Sequence, residues 1–121
     1  MIKEIYIIRA SIKADMKTGE QKLFFHETKN YGDFTENMDK QCYVKAGYLD
    51  SEVPIGIEVD YNYFYGGVVA QQGFKQQPSE QEKIGIKNDM VLALKDFLTK
   101  EKQKLINEFD EKIEVCDKEI M

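Results

Sequence analysis

The chain has 121 residues, enough for one domain with a core of its own. Its 42% hydrophobic and 32% charged content exclude a disordered chain, and its apolar runs are far too short to span a membrane. The net charge of −5, with Arg9 the one arginine, weighs against sequence-specific reading of duplex DNA and suits docking on a basic partner surface.

The first half of the chain alternates. In 2–14, Ile2, Tyr6, Ile8, Ala10, Ile12 and Ala14 share one parity, and Lys3, Arg9, Ser11 and Lys13 share the other with Ile5 and Ile7. Period two predicts a strand with one apolar face and a second face covered near its start. The segment lacks the long apolar stretch and small-residue cleavage site of a signal peptide, so a cytoplasmic location is expected. KTGE at 17–20 is turn chemistry and KLFFHETK at 22–29 a returning strand, which predicts a hairpin over 2–29. Residues 30–40 have no period and read as a loop carrying Tyr31, Phe34 and Met38. Alternation returns in 41–49, and DSEVP at 50–54 reads as a break.

In 55–65, Ile55, Ile57, Val59, Tyr61, Tyr63 and Tyr65 share one face, opposite Gly56, Glu58, Asp60, Asn62 and Phe64. Gly66-Gly67 predicts a two-residue hairpin turn over 55–75. That register sets Tyr65 against Val68, Tyr63 against Ala70 and Glu58 against Lys75. Ser79 and Glu82 have the spacing of a capping box, although Gly85 points to a firm helix only from near Asn88. From there Val91, Leu94, Leu98, Leu105, Phe109, Ile113, Cys116 and Ile120 keep to one broad stripe. Asp96–Lys100, Glu108–Lys112 and Glu114–Lys118 have the spacing of i,i+4 ion pairs. TKEKQK at 99–104 interrupts the stripe, so 79–121 is one long helix or two shorter ones. The expectation is a single α+β domain over 1–121. A sheet of about five antiparallel strands fills 1–78, and the helical part fills 79–121.

Chemistry-bearing residues are sparse. Cys42 and Cys116 sit at apolar positions and read as buried reduced thiols. His26 is the one histidine and lacks ligand spacing to any partner, so no metal, cofactor or catalytic residue is assigned and the protein is not expected to be an enzyme. The tyrosine row is either core beneath the helix or a recognition surface. Its rings would stand about 7 Å apart, a spacing that suits stacking on nucleotide rings. Candidate ligand contacts are Tyr61, Tyr63, Phe64 and Tyr65 with Lys75, Tyr31 and Phe34. The distal stripe of Leu105, Phe109, Ile113 and Cys116 is the candidate oligomer interface.

A short, lysine-rich, arginine-poor, tryptophan-free α+β chain without catalytic residues is similar in general character to small accessory proteins of phages and mobile elements. That resemblance implies inhibition of a host protein or sequestration of a small ligand. The leading expectation is a cytosolic, non-enzymatic binding protein that acts as a homo-oligomer on a protein partner or a nucleotide-like ligand. The alternatives are a small-barrel single-stranded nucleic-acid binder using Lys13, Lys22, Lys45 and Lys75, and a structural or assembly component. No membrane partner is expected.

Overall fold

The structure is a computed structural model and describes residues 2–37, 41–46, 49–54, 56–62 and 66–120. Among these residues the fold is an antiparallel sheet followed by one long helix, which is the α+β arrangement expected. The strands are β1 (Ile2–Ala14), β2 (Gln21–Asn37), β3 (Gln41–Ala46), β4 (Leu49–Pro54), β5 (Glu58–Asn62) and β6 (Gly67–Phe74), and the helix α1 is Glu80–Glu119. The sheet order is β4-β3-β2-β1-β6-β5. Four strands, β2-β1-β6-β5, form the body beneath the helix, and the β3–β4 hairpin extends it.

Six described strands replace the expected five because 50–54, read as a break, pairs as part of β4, while 30–37, read as a loop, lengthens β2. Residues 30–37, expected in a loop, continue β2 and pair with β3 through Phe34 opposite Val44. The stretch 50–54 belongs to β4, with Asp50 opposite Lys45 and Pro54 opposite Gln41. Pro54 is tolerated because β4 is an edge strand and needs no donor there.

The β1–β2 hairpin forms as expected, from Ala14 opposite Gln21 to Ile2 opposite Phe34, with a bulge between Ile2 and Glu4. Asp15 closes its turn, accepting hydrogen bonds from the Lys17 and Thr18 amides (2.8 and 3.2 Å) and from Lys22 Nζ (3.3 Å). Gly19 takes the left-handed conformation this turn requires (φ 76°).

The sheet rolls up. β4 and β5 lie at opposite edges, yet only residues 55–57 separate them in sequence. Six flat strands would hold those edges about 24 Å apart, whereas four residues of chain reach at most about 14 Å. The curl brings β4 close to β6. Ile5, Ile7, Phe34 and Val69 are buried away from the helix, on the inside of this roll. The buried second face expected near the start of β1 is therefore present. On the outer face Tyr6, Ile8, Ala10, Val68 and Ala70 form a core with Met90 and Leu94 of α1, and Ile12, Ile57, Val59 and Phe97 pack around it.

α1 is one helix, not two. Its capping box forms as the spacing predicts: Ser79 Oγ accepts from the Glu82 amide (3.2 Å), and Glu82 Oε1 accepts from the Ser79 amide (3.2 Å). The helix therefore starts at Glu80 rather than near Asn88, because two satisfied amides and packing outweigh the cost of Gly85, about 1 kcal/mol. The polar stretch 99–104 stays helical, supported by Asp96–Lys100 (2.9 Å) and Glu101–Lys104 (3.4 Å) ion pairs.

Candidate functional site

At 1.5 Å per residue, the 40 residues of α1 extend about 60 Å. Its contacts with the sheet are confined to the first half. Lys83, Met90 and Leu94 are buried, whereas every residue from 102 to 120 is exposed. The expected single stripe resolves into two faces. Met90 and Leu94 point into the body. Ile106, Phe109, Ile113, Cys116 and Ile120 follow a 3-4-3-4 spacing, the a and d positions of a heptad. This seam lies about a quarter of a turn around the helix from the buried face. Leu105 flanks it.

The seam is apolar and open to solvent: Leu105 is 53% exposed, Phe109 61%, Ile113 57% and Ile120 74%. Cys116 is an exposed free thiol, which corrects the expectation of a buried one, because no sheet lies under the distal helix. The Cys42 side chain lies outside the described residues. Lys112 sits over the Phe109 ring, 5.9 Å from its centroid, and Glu114 pairs with Lys118 at 3.7 Å. Ile106, 42% exposed, was not among the sequence candidates. Its 3-residue step to Phe109 was the available signal, hidden while a single helical face was assumed.

The candidate ligand residues do not converge. Tyr61 lies opposite Val68 on the helix face, and its ring meets Phe97 edge-on at 5.4 Å and 66°. It remains 57% exposed and lines a cavity of about 430 Å³ with Asn62, Gly66 and Gly67. Lys75 follows the far end of β6, about 23 Å along the strand from Val68. Tyr31, 70% exposed, faces Glu4 at the opposite end of β1, and Phe34 is fully buried. Tyr63, Phe64 and Tyr65 lie outside the described residues. Lys13 and Lys22 face each other on the side away from the helix, with Lys13 over Phe24 at 5.1 Å. These lysines therefore share no groove with Tyr61. The Lys45 side chain lies outside the described residues.

The predicted 55–75 register is corrected. Tyr61, not Tyr65, faces Val68, and Glu58 faces Gln71, not Lys75. The shift is four residues, so each side chain keeps its predicted face. The last described pair is Asn62 with Gly67, and Gly67 is already in β6 against β1. A Cβ there would collide with the Ile12 carbonyl oxygen.

The charge cluster at the start of α1 was not legible in sequence. Lys83 is buried, bonded to Glu80 (3.1 Å) and Glu27 (3.4 Å), with its ammonium 5.2 Å from the Tyr6 ring centroid. Bonding to Tyr6 first, then to Glu80, raises its pKa above the usual lysine range, against desolvation. Lys87 reaches the same Glu27 (3.9 Å) and covers Phe25. The cluster fastens the helix start to β2. Among the described residues no group of three His, Cys, Asp or Glu could hold a metal ion, and no helix is long and apolar enough to cross a membrane. Comparison with protein-family models, curated proteins and solved structures finds no match to this chain.

Proposed function

We propose that this is a non-enzymatic binding protein that acts as a homo-oligomer, with the sheet as its body and the distal half of α1 as its contact arm. One observation carries the reading. A row of large apolar side chains over 105–120 stands in solvent on a helix that extends beyond its own core. A contiguous apolar surface of this kind marks an interaction site. The Phe109→Glu substitution tests it. Light scattering should give an oligomer for the wild type and a monomer for the variant, with unchanged helix content. A wild-type monomer, or an oligomer indifferent to the charge, contradicts it.

A second reading rests on the exposed Tyr61 ring beside its cavity. In it, the protein sequesters a flat, nucleotide-like ligand by stacking. Tyr61→Ala should then weaken binding of a nucleoside monophosphate at least tenfold in calorimetry. A titration with no heat for the wild type removes this reading. The single-stranded nucleic-acid alternative draws no support from Lys13 and Lys22, which lie on the face of the sheet opposite Tyr61.

A further inference from the structure

The distal seam carries information about what covers it. We propose that its occupant is a second copy of this chain, with the two helices parallel and in register, so that Cys116 faces Cys116 of the partner subunit. This inference rests on the self-association reading above and adds orientation, stoichiometry and register to it.

Three features of the seam point the same way. Ile106, Ile113 and Ile120 occupy the a positions, where β-branched residues are the a-layer half of the pattern that favours two strands, the other half being Leu at d. Phe109 and Cys116 occupy d. The flanking charges then decide the orientation. In a parallel pair each g residue meets the e residue five positions later on the other helix. Lys112 at g thus meets Asp117 of the partner subunit, and two-fold symmetry repeats the pair. In the antiparallel register that sets Cys116 against Ile106, Ile120 falls opposite Lys102, and Asp110 meets its own copy as does Lys112. Both are like-charge contacts, which disfavour it.

The geometry leaves the seam accessible. The buried face of α1, at Met90 and Leu94, points about a quarter of a turn away, so the sheets of both subunits flank the helix pair without entering it. The Lys112 ammonium, 5.9 Å from the Phe109 ring centroid, already lies beside the d layer, at the flank where Asp117 of the partner subunit would meet it.

Cys116 makes the register measurable. In the parallel pair the two thiols fall within disulfide range. In the antiparallel pair Cys116 faces Ile106, and the two sulfurs stand about 15 Å apart along the axis. The test uses the Cys42→Ser chain, in which Cys116 is the one remaining thiol of the two in the sequence, treated with diamide. Diamide takes up the two hydrogens the thiols lose and becomes the hydrazine, leaving one S–S bond. Sedimentation equilibrium is run on the same untreated sample. The proposal expects a dimer, and a covalent dimer in most of the protein within minutes. A dimer that diamide does not cross-link overturns the parallel register while leaving self-association intact. A trimer or larger assembly overturns two-stranded pairing. A monomer overturns both this proposal and the reading beneath it. If Cys42→Ser folds poorly, surface charges give an independent test. Lys112→Glu should weaken the dimer about three- to tenfold, and adding Asp117→Lys should restore it. Failure of the second change to restore pairing overturns the register.

Discussion

Two glycines at the β5–β6 turn separate backbone conformation from packing. Gly66 is left-handed (φ 68°), and a Cβ there would meet open space, whereas one at Gly67 would strike the Ile12 backbone. Gly66→Ala should cost about 1–2 kcal/mol, the strain of a left-handed residue. Gly67→Ala should cost about 1–3 kcal/mol and shift β6 against β1. Urea unfolding ranks the two, and equal, negligible effects would contradict the packing described. Asp15 and Lys83 give the fold opposite pH signatures. Hydrogen bonds from Lys17, then Lys22 and Thr18, hold the Asp15 pKa below its ordinary 3.8. Its contribution is present above that ordinary value and disappears as pH falls through the lower folded value. The Lys83 pKa is raised, so its contribution is complete below the ordinary 10.5 and disappears as pH rises through the higher folded value. Asp15→Asn should flatten the acid side of the stability curve, and Lys83→Met the alkaline side. Urea midpoints across pH check both, and a variant curve parallel to the wild type would count against the pairing assigned. Neither role was legible in the sequence, except that KTGE marked the turn. Lys83 lies far along the chain from Tyr6 and Glu27, and only the folded register brings them together.

At the scale of elements, α1 divides into a docked half and a free half. Leu94 is fully buried, and Leu94→Ala should cost about 2–5 kcal/mol. Phe109→Ala should change the unfolding of the isolated subunit by less than about 0.5 kcal/mol, because its ring packs on no core. Ser79→Ala, which removes the cap, should cost about 1 kcal/mol. Denaturation at high dilution separates these values, and a large loss at Phe109 would mean that the distal helix folds back on the body. Much of this was readable. Period two in 2–14 and the Ser79–Glu82 spacing were local signals, and local structure followed them. The strand at 30–37 was not readable, because it pairs with its sequence neighbours β1 and β3 without an alternating pattern of its own. The hairpin register failed for a different reason. Gly-Gly is a strong turn signal, but Gly67 is used for close approach to Ile12, and the turn lies before it.

At the scale of the whole molecule, the described residues bury apolar surface in the roll and under the helix, and leave a contiguous apolar row open along the distal helix. The roll interior and the helix-side core are satisfied within the subunit. The seam on 105–120 is not, and it is this surplus that the proposed homo-oligomer accounts for. The sequence pointed to Leu105, Phe109, Ile113 and Cys116, but which face of the helix meets the sheet was a tertiary fact. Ile106 and the heptad step became visible only after the docked face was known. The ligand candidates were legible as residue types alone, since period and composition do not report that Tyr31, Tyr61 and Lys75 sit at separate places on the sheet. The most direct measurement is the native mass of the wild-type protein released gently from its expression host. The account predicts twice the chain mass of 14.1 kDa, collapsing to a single chain on Phe109→Glu. A wild-type spectrum of single chains, at concentrations where an exposed seam of this size should pair, would contradict it.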